Sequence, residues 1–149
     1  TESTARSQRL ARLIADHANG VSVHVEACPG WATRVETLHL DDPEFHREAH
    51  KHLSPLLDAG VDRIVLGCTH YTFLIPMLAP LIAGRAELVD VAEAVARQCV
   101  RLAGPAAEGQ GGLELHATSQ PERLQAALSH LGLGWIARRS TRPAKLAAI

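Results

Sequence analysis

The stretch Val61–Tyr71, which reads VDRIVLGCTHY, carries the strongest structural signal in the chain. Its first part, Val61–Gly67, centres on the residues Ile-Val-Leu and predicts a buried strand. Gly67 ends this strand, and Thr69 can cap a helix predicted over Tyr71–Ile82. A strand that leads directly into a helix is the repeating unit of α/β folds, so the stretch indicates the fold class.

The segments on either side continue this alternation. Upstream, Asp41 or Asp42 can cap a helix that begins at Pro43 and ends before Gly60. Downstream, we predict a short strand over 86–89 and then a helix over 92–102 that is capped by Asp90. The other predicted elements are a helix over 1–17, a strand over 21–25, a loop over 104–112, a strand over 113–117, a helix over 119–131 and a frayed tail from 139. The sequence therefore predicts an α/β protein with a largely parallel sheet and flanking helices.

Composition excludes several classes of protein. The 149 residues include 46% apolar residues, enough for a packed core, and the formal net charge is -1. Because 15 basic residues face 16 acidic ones without long runs of one sign, we expect no nucleic-acid partner. No apolar run is long enough to cross a bilayer, so we expect no membrane partner. Three scattered cysteines favour free thiols and hence a cytoplasmic protein.

Cys68 is the best candidate for a reactive group. It follows the predicted strand and precedes the predicted helix, whose unpaired N–H groups favour a thiolate. His70 lies two residues further on and can exchange a proton with a neighbouring acid or base. Gly67 leaves room for a ligand to approach the backbone. The alternative is an inert cysteine, because free cysteines are often buried.

Gly67–Tyr71, GCTHY, closely resembles the second cysteine motif of the glutamate racemases, within the aspartate/glutamate racemase superfamily. Other segments resemble that family in the same order: Thr1 and Thr4 as a Thr-x-x-Thr element, Cys28-Pro29 with Glu36 after it, Val89-Asp90 followed by AEAVA, and Thr118-Ser119. The chain departs from the family at Thr72, Val91 and Gln120, where the family usually has Pro, Ser and Gly.

The resemblance implies one domain of a two-domain racemase fold plus a returning carboxyl-terminal segment. Residues 1–103 would form most of the second domain, and 104–149 would return to a first domain. The family's Asp-Ser-Gly segment and first cysteine, followed by Asn-Thr, do not occur here. We therefore expect a racemase fragment, inactive without its amino-terminal half and dimeric when full length.

The implied function is cofactor-independent interconversion of L- and D-glutamate by two thiols, which supplies D-glutamate for peptidoglycan. Cys68 would face L-glutamate, and His70 would set its protonation. Thr69, Thr1 and Thr4 would bind the substrate. Glu36 would orient His70. The resemblance implies no cofactor and no metal ion.

Alternatives remain for several residues and for the function. Cys28 could be the second thiol, although packing is favoured, and Cys99 is predicted to lie in the core. His46 and His50 are spaced to hold zinc, although a solvated helix face is favoured. Alternative functions are an aspartate racemase or decarboxylase-like relative, a non-catalytic amino-acid-binding module, and a cysteine–histidine hydrolase.

Overall fold

Residues 2–105, 111–140 and 142–147 are described in the structure, a computed structural model. Thr1, predicted to bind substrate, and part of the predicted 104–112 loop lie outside these residues. The chain divides into two units, residues 1–93 and 94–149. Among the described residues, no helix combines the length and the apolar character needed to span a membrane.

The first unit contains two parallel strands and most of the helices. Its elements are α1 (Glu2–Ala5), α2 (Gln8–His17), α3 (Trp31–Glu36), α4 (Pro43–Asp58), β1 (Arg63–Leu66), a 3-10 helix (Tyr71–Leu74), α5 (Ile75–Ile82) and β2 (Glu87–Asp90). β1 pairs with β2 in parallel, from Arg63 opposite Glu87 to Leu66 opposite Asp90. The carboxyl ends of both strands therefore lie side by side.

The second unit repeats this pattern on a smaller scale. Helix α6 (Ala92–Ala103) starts at the boundary, and β3 (His116–Ala117), α7 (Pro121–His130), α8 (Gly134–Arg139) and β4 (Lys145–Leu146) follow. β3 and β4 form a parallel pair. Parallel strands with helices confirm the predicted α/β class, although the strands form two separate pairs.

Local sequence signals set the bounds of α4. Asp42 accepts a hydrogen bond from the Phe45 backbone N–H at 2.7 Å, and Pro43 occupies the first helical position. After the helix, Gly60 adopts a φ of 79°, a conformation that side chains disfavour. The predicted helix is therefore confirmed almost to the residue.

The core of the first unit lies between α3, α4 and α5. Its fully buried side chains are Val35, Phe45, Leu74, Leu78 and Ile82. Trp31 is 2% exposed, and its ring meets that of Phe45 edge to face at 5.3 Å. This packing anchors α3, which is too short to be stable alone.

Several predicted elements are wrong. Val21–Val25 forms no strand, because within the described ranges it has no partner strand to take up its backbone hydrogen bonds. The predicted first helix is interrupted at Ser7, whose side chain accepts from the Leu10 N–H and starts α2. β1 is not fully buried, since Val65 is 61% exposed.

The carboxyl-terminal predictions also need correction. Cys99 is exposed rather than in the core, because α6 buries none of its residues. The tail predicted to fray from Arg139 instead contains β4, which is paired with β3. The predicted strand over 113–117 is reduced to His116–Ala117, and α8 was not predicted.

Candidate active site

The candidate site is built on the turn that follows β1. Cys68 and His70 leave the carboxyl end of β1, where ligands bind in parallel α/β sheets. The Tyr71 N–H donates to the Cys68 carbonyl at 3.0 Å, and the Phe73 N–H donates to the His70 carbonyl at 3.1 Å. These backbone bonds close the turn into the 3-10 helix and project both side chains from it.

Thr69 does not cap this helix, contrary to prediction. The capping position is His70, which makes no side-chain cap bond. The Cys68 carbonyl already satisfies the Tyr71 N–H, so a side-chain cap has no role there. Thr69 is instead exposed beside Cys68.

Three of the predicted residues form a continuous chain of contacts. The Cys68 Sγ lies 3.8 Å from His70 Nδ1, and His70 Nε2 lies 3.1 Å from Glu36 Oε1. Glu36 is 34 residues before His70 and ends α3, which the buried Trp31 and Val35 hold in place. Packing of α3 thus brings Glu36 to the turn.

This arrangement suits proton transfer. A neutral imidazole with its proton on Nε2 donates to Glu36 and leaves the Nδ1 lone pair facing the Cys68 thiol. If the ring takes the thiol proton, the Glu36 carboxylate stabilises the resulting imidazolium. Glu36 is 69% exposed, so solvent weakens this ion pair. The structure shows the Cys68–His70 and His70–Glu36 contacts, and the role of these residues in catalysis stays a prediction.

Tyr71 ties the turn to the segment that carries Cys28. Its hydroxyl donates to the Cys28 carbonyl at 3.0 Å, and its ring lies 5.3 Å from Trp31. Burial first, and then the nearby Cys28 and Cys68 thiols, raises the pKa of Tyr71 to about 12. Tyr71 is therefore a neutral hydrogen-bond donor here. Sequence reasoning gave it no role, because its partner lies 43 residues away.

Cys28 itself is held as a neutral thiol. Burial, followed by the charges of Glu26 and Glu48, raises its pKa from 9.0 to about 12. Glu26 is fixed in turn by His52, whose Nδ1 lies 2.6 Å from Glu26 Oε1. A thiol that rarely ionises is a poor proton acceptor, which favours the packing interpretation of Cys28.

Thr4 and Gly67 are two further residues of the predicted site. Thr4 is an exposed residue of α1. A Cβ built on Gly67 would meet no described atom within 4 Å, so the space beside this backbone is open. The substrate-binding role of Thr4 and the supporting role of Gly67 stay predictions.

The histidines of α4 have separate partners. His46 Nε2 lies 2.8 Å from Asp41, and His50 lies 3.1 Å from the Ser54 hydroxyl. Across the part of the chain that the structure describes, no group of three metal-ligating side chains occurs.

The curated proteins that this chain resembles include several glutamate racemases. A curated glutamate racemase of Pseudomonas putida strain F1 is 39% identical over 132 residues, 86% of this chain and 50% of that protein. A curated glutamate racemase of Herpetosiphon aurantiacus is 37% identical over 126 residues, 81% of this chain and 50% of that protein. The chain is related to the glutamate racemases. It spans about half the length of these curated relatives.

Solved glutamate racemases share the fold. An isoform from Bacillus anthracis superposes with a TM-score of 0.75 at 20% identity, covering 100% of this chain and 55% of that one. The Thermus thermophilus enzyme, in complex with β-chloro-D-alanine, gives 0.64 at 27% identity, covering 96% and 54%. No family model matches the chain. The predicted resemblance to an isomerase family is confirmed.

Proposed function

We propose that this chain contributes one of the two acid/base thiols of a cofactor-independent glutamate racemase. The observation that carries the proposal is the chain of contacts from Cys68 Sγ through the His70 ring to Glu36. It gives the thiol a place to deposit its proton and gives the resulting imidazolium a counter-ion. The similarity to glutamate racemases supplies the reaction and substrate.

In the proposed reaction, the Cys68 thiolate removes the α-proton of L-glutamate. The electron pair of the broken C–H bond stays on the α-carbon, and a second thiol on the opposite face returns a proton to give D-glutamate. The roles reverse for the D-enantiomer. His70 takes the proton of the resting Cys68 thiol, and Glu36 keeps the ring oriented. General acid/base catalysis of this kind contributes about 10²–10⁴-fold.

Thr69, Thr4 and Thr1 are proposed to bind the substrate. Thr69 adjoins Cys68 and offers an exposed hydroxyl for the α-carboxylate or ammonium group. The open space beside Gly67 would let the substrate approach the protein backbone. Thr1 and Thr4 would add further hydrogen bonds to the substrate.

The partners in this proposal are glutamate and a polypeptide that supplies the opposite thiol. The chain spans about half of its curated relatives, so the counterpart of their remaining half would complete the site. The complete protein would be a homodimer that supplies D-glutamate for peptidoglycan in the cytoplasm.

The test follows deuterium exchange and L-to-D conversion of glutamate in D2O by NMR. We expect no conversion by the 149-residue chain alone, and conversion after addition of a polypeptide that covers the remaining half. Cys68→Ser should abolish conversion by the mixture, whereas the matched change Cys99→Ser, at an exposed cysteine, should not.

Other outcomes would discriminate the alternatives. Conversion that survives Cys68→Ser would overturn the proposal. Preference for aspartate in competition would indicate an aspartate racemase, and binding without exchange by the mixture would indicate an amino-acid-binding module.

A further inference from the structure

A side-chain hydrogen bond joins the candidate active-site turn to β2. Thr72 lies in the 3-10 helix, two residues after His70, and its Oγ1 donates to Asp90 Oδ1 at 2.8 Å. Asp90 is the last residue of β2 and lies opposite Leu66, the last residue of β1. The bond therefore joins the 3-10 helix that follows β1 to the carboxyl end of β2.

Asp90 is itself held in place. The same Oδ1 accepts a hydrogen bond from the Ala92 N–H at 3.0 Å, where α6 begins. A carboxylate fixed by its strand and by a backbone donor is a defined anchor for the Thr72 hydroxyl. Hydrogen bonds to charged groups are also stronger than neutral ones.

Backbone hydrogen bonds between near neighbours close the turn, and in the part of the chain that the structure describes its 3-10 helix has no side-chain cap. The Tyr71 hydroxyl donates to the Cys28 carbonyl and so ties the turn to a second segment. Two consecutive residues, Tyr71 and Thr72, therefore bond to two different segments of the chain, those of Cys28 and Asp90.

We propose that Thr72 is a positioning residue, whose hydroxyl, anchored by Asp90, keeps Cys68 Sγ and His70 Nδ1 in contact. This inference rests on the proposed function in assigning a purpose to that contact. Thr72 would act on the Cys68–His70 pair through the turn, because its hydroxyl bonds to Asp90 rather than to either of them.

The test measures alkylation of Cys68 by iodoacetamide as a function of pH, with peptide mass spectrometry to separate the cysteines. The variant His70→Asn gives the pH–rate profile of a Cys68 thiol that has no imidazole beside it. Thr72→Val is nearly isosteric and lacks the hydroxyl, so its pH–rate profile should move towards that of His70→Asn. Because the Thr72–Asp90 bond is exposed to solvent, we expect a rate change of about twofold to fivefold near neutral pH. Thr72→Ser should restore the wild-type profile.

Two further variants keep the test decisive. Asp90→Ala removes the acceptor and should reproduce Thr72→Val, and the double variant should show no added effect. Thr33→Val, at an exposed threonine of α3, is the matched control and should match wild type. Urea unfolding verifies that each variant is folded.

The outcomes separate this inference from the proposed function. If His70→Asn alters the profile and folded Thr72→Val or Asp90→Ala does not, only the positioning role is overturned. If His70→Asn leaves the profile unchanged, Cys68 and His70 are not coupled, and both proposals fail.

Discussion

The Cys28 thiol should stay protonated and react slowly near neutral pH. Burial, then Glu26 and Glu48, raises its pKa from 9.0 to about 12. At about pH 8 such a thiol is ionised to about one part in 10⁴, against about one part in ten for a thiol with the ordinary pKa. The greater nucleophilicity of a more basic thiolate, with a Brønsted slope of about 0.4–0.5, offsets part of this difference. We therefore expect alkylation about 30- to 60-fold slower in the folded than in the unfolded protein.

Iodoacetamide labelling with peptide mass spectrometry measures each cysteine separately. The protein in concentrated urea gives the unfolded rate, and the exposed Cys99 serves as the internal control for the reagent. Between about pH 9 and about pH 10.5 the Cys28 rate should still rise by about 30-fold, since its pKa is not yet reached. A thiol that is merely occluded would level off above about pH 9. That plateau, or a folded rate within about threefold of the unfolded rate, would refute the reasoning.

Three further predictions concern the turn, a helix start and a glycine. Tyr71→Phe removes the donor to the Cys28 carbonyl and should lower the free energy of unfolding in urea by about 1–2 kcal/mol; a loss below about 0.3 kcal/mol would contradict it. The hydrogen bond from the Phe45 N–H lowers the pKa of Asp42, so its stabilisation is complete above the ordinary value of 3.8 and is lost as pH falls. Asp42→Asn should therefore flatten the acid-side decline in Tm, and an unchanged slope would argue against this cause. Gly67→Ala should leave Tm unchanged or slightly higher, and under the proposed function it should weaken glutamate binding by the mixture with the remaining half. A clear fall in Tm would show that the added methyl group is crowded at this position.

Elements with local signals were predictable from the sequence. The start of α4 at Pro43 follows from the Asp42 side chain, which bonds a backbone N–H three residues away. β1 and β2 also lie where predicted, within one or two residues at most of their bounds. The end of β1 and the helical segment after it are signalled by neighbouring residues. The sequence alone therefore predicted that Cys68 lies between this strand and the helical segment.

Elements that need a distant partner were not predictable in this way. Val21–Val25 has the alternating pattern of a strand, yet within the described ranges no strand pairs with it. Lys145–Leu146 lacks a strand pattern and nevertheless pairs with His116–Ala117. Cys99 has helical apolar neighbours and remains exposed. Burial and pairing depend on what packs against a segment, which its own residues do not specify.

The sequence by itself predicted the similarity to glutamate racemases that the comparisons confirm. It also determined that a cysteine and a histidine follow a strand at residues 68 and 70. Only the tertiary structure decided which groups meet them. Glu36 reaches His70 across 34 residues, and Asp90 reaches Thr72 across 18. The physical reason is that a turn is set by backbone bonds between near neighbours, whereas these contacts exist because α3 is packed on the core and β2 is paired with β1.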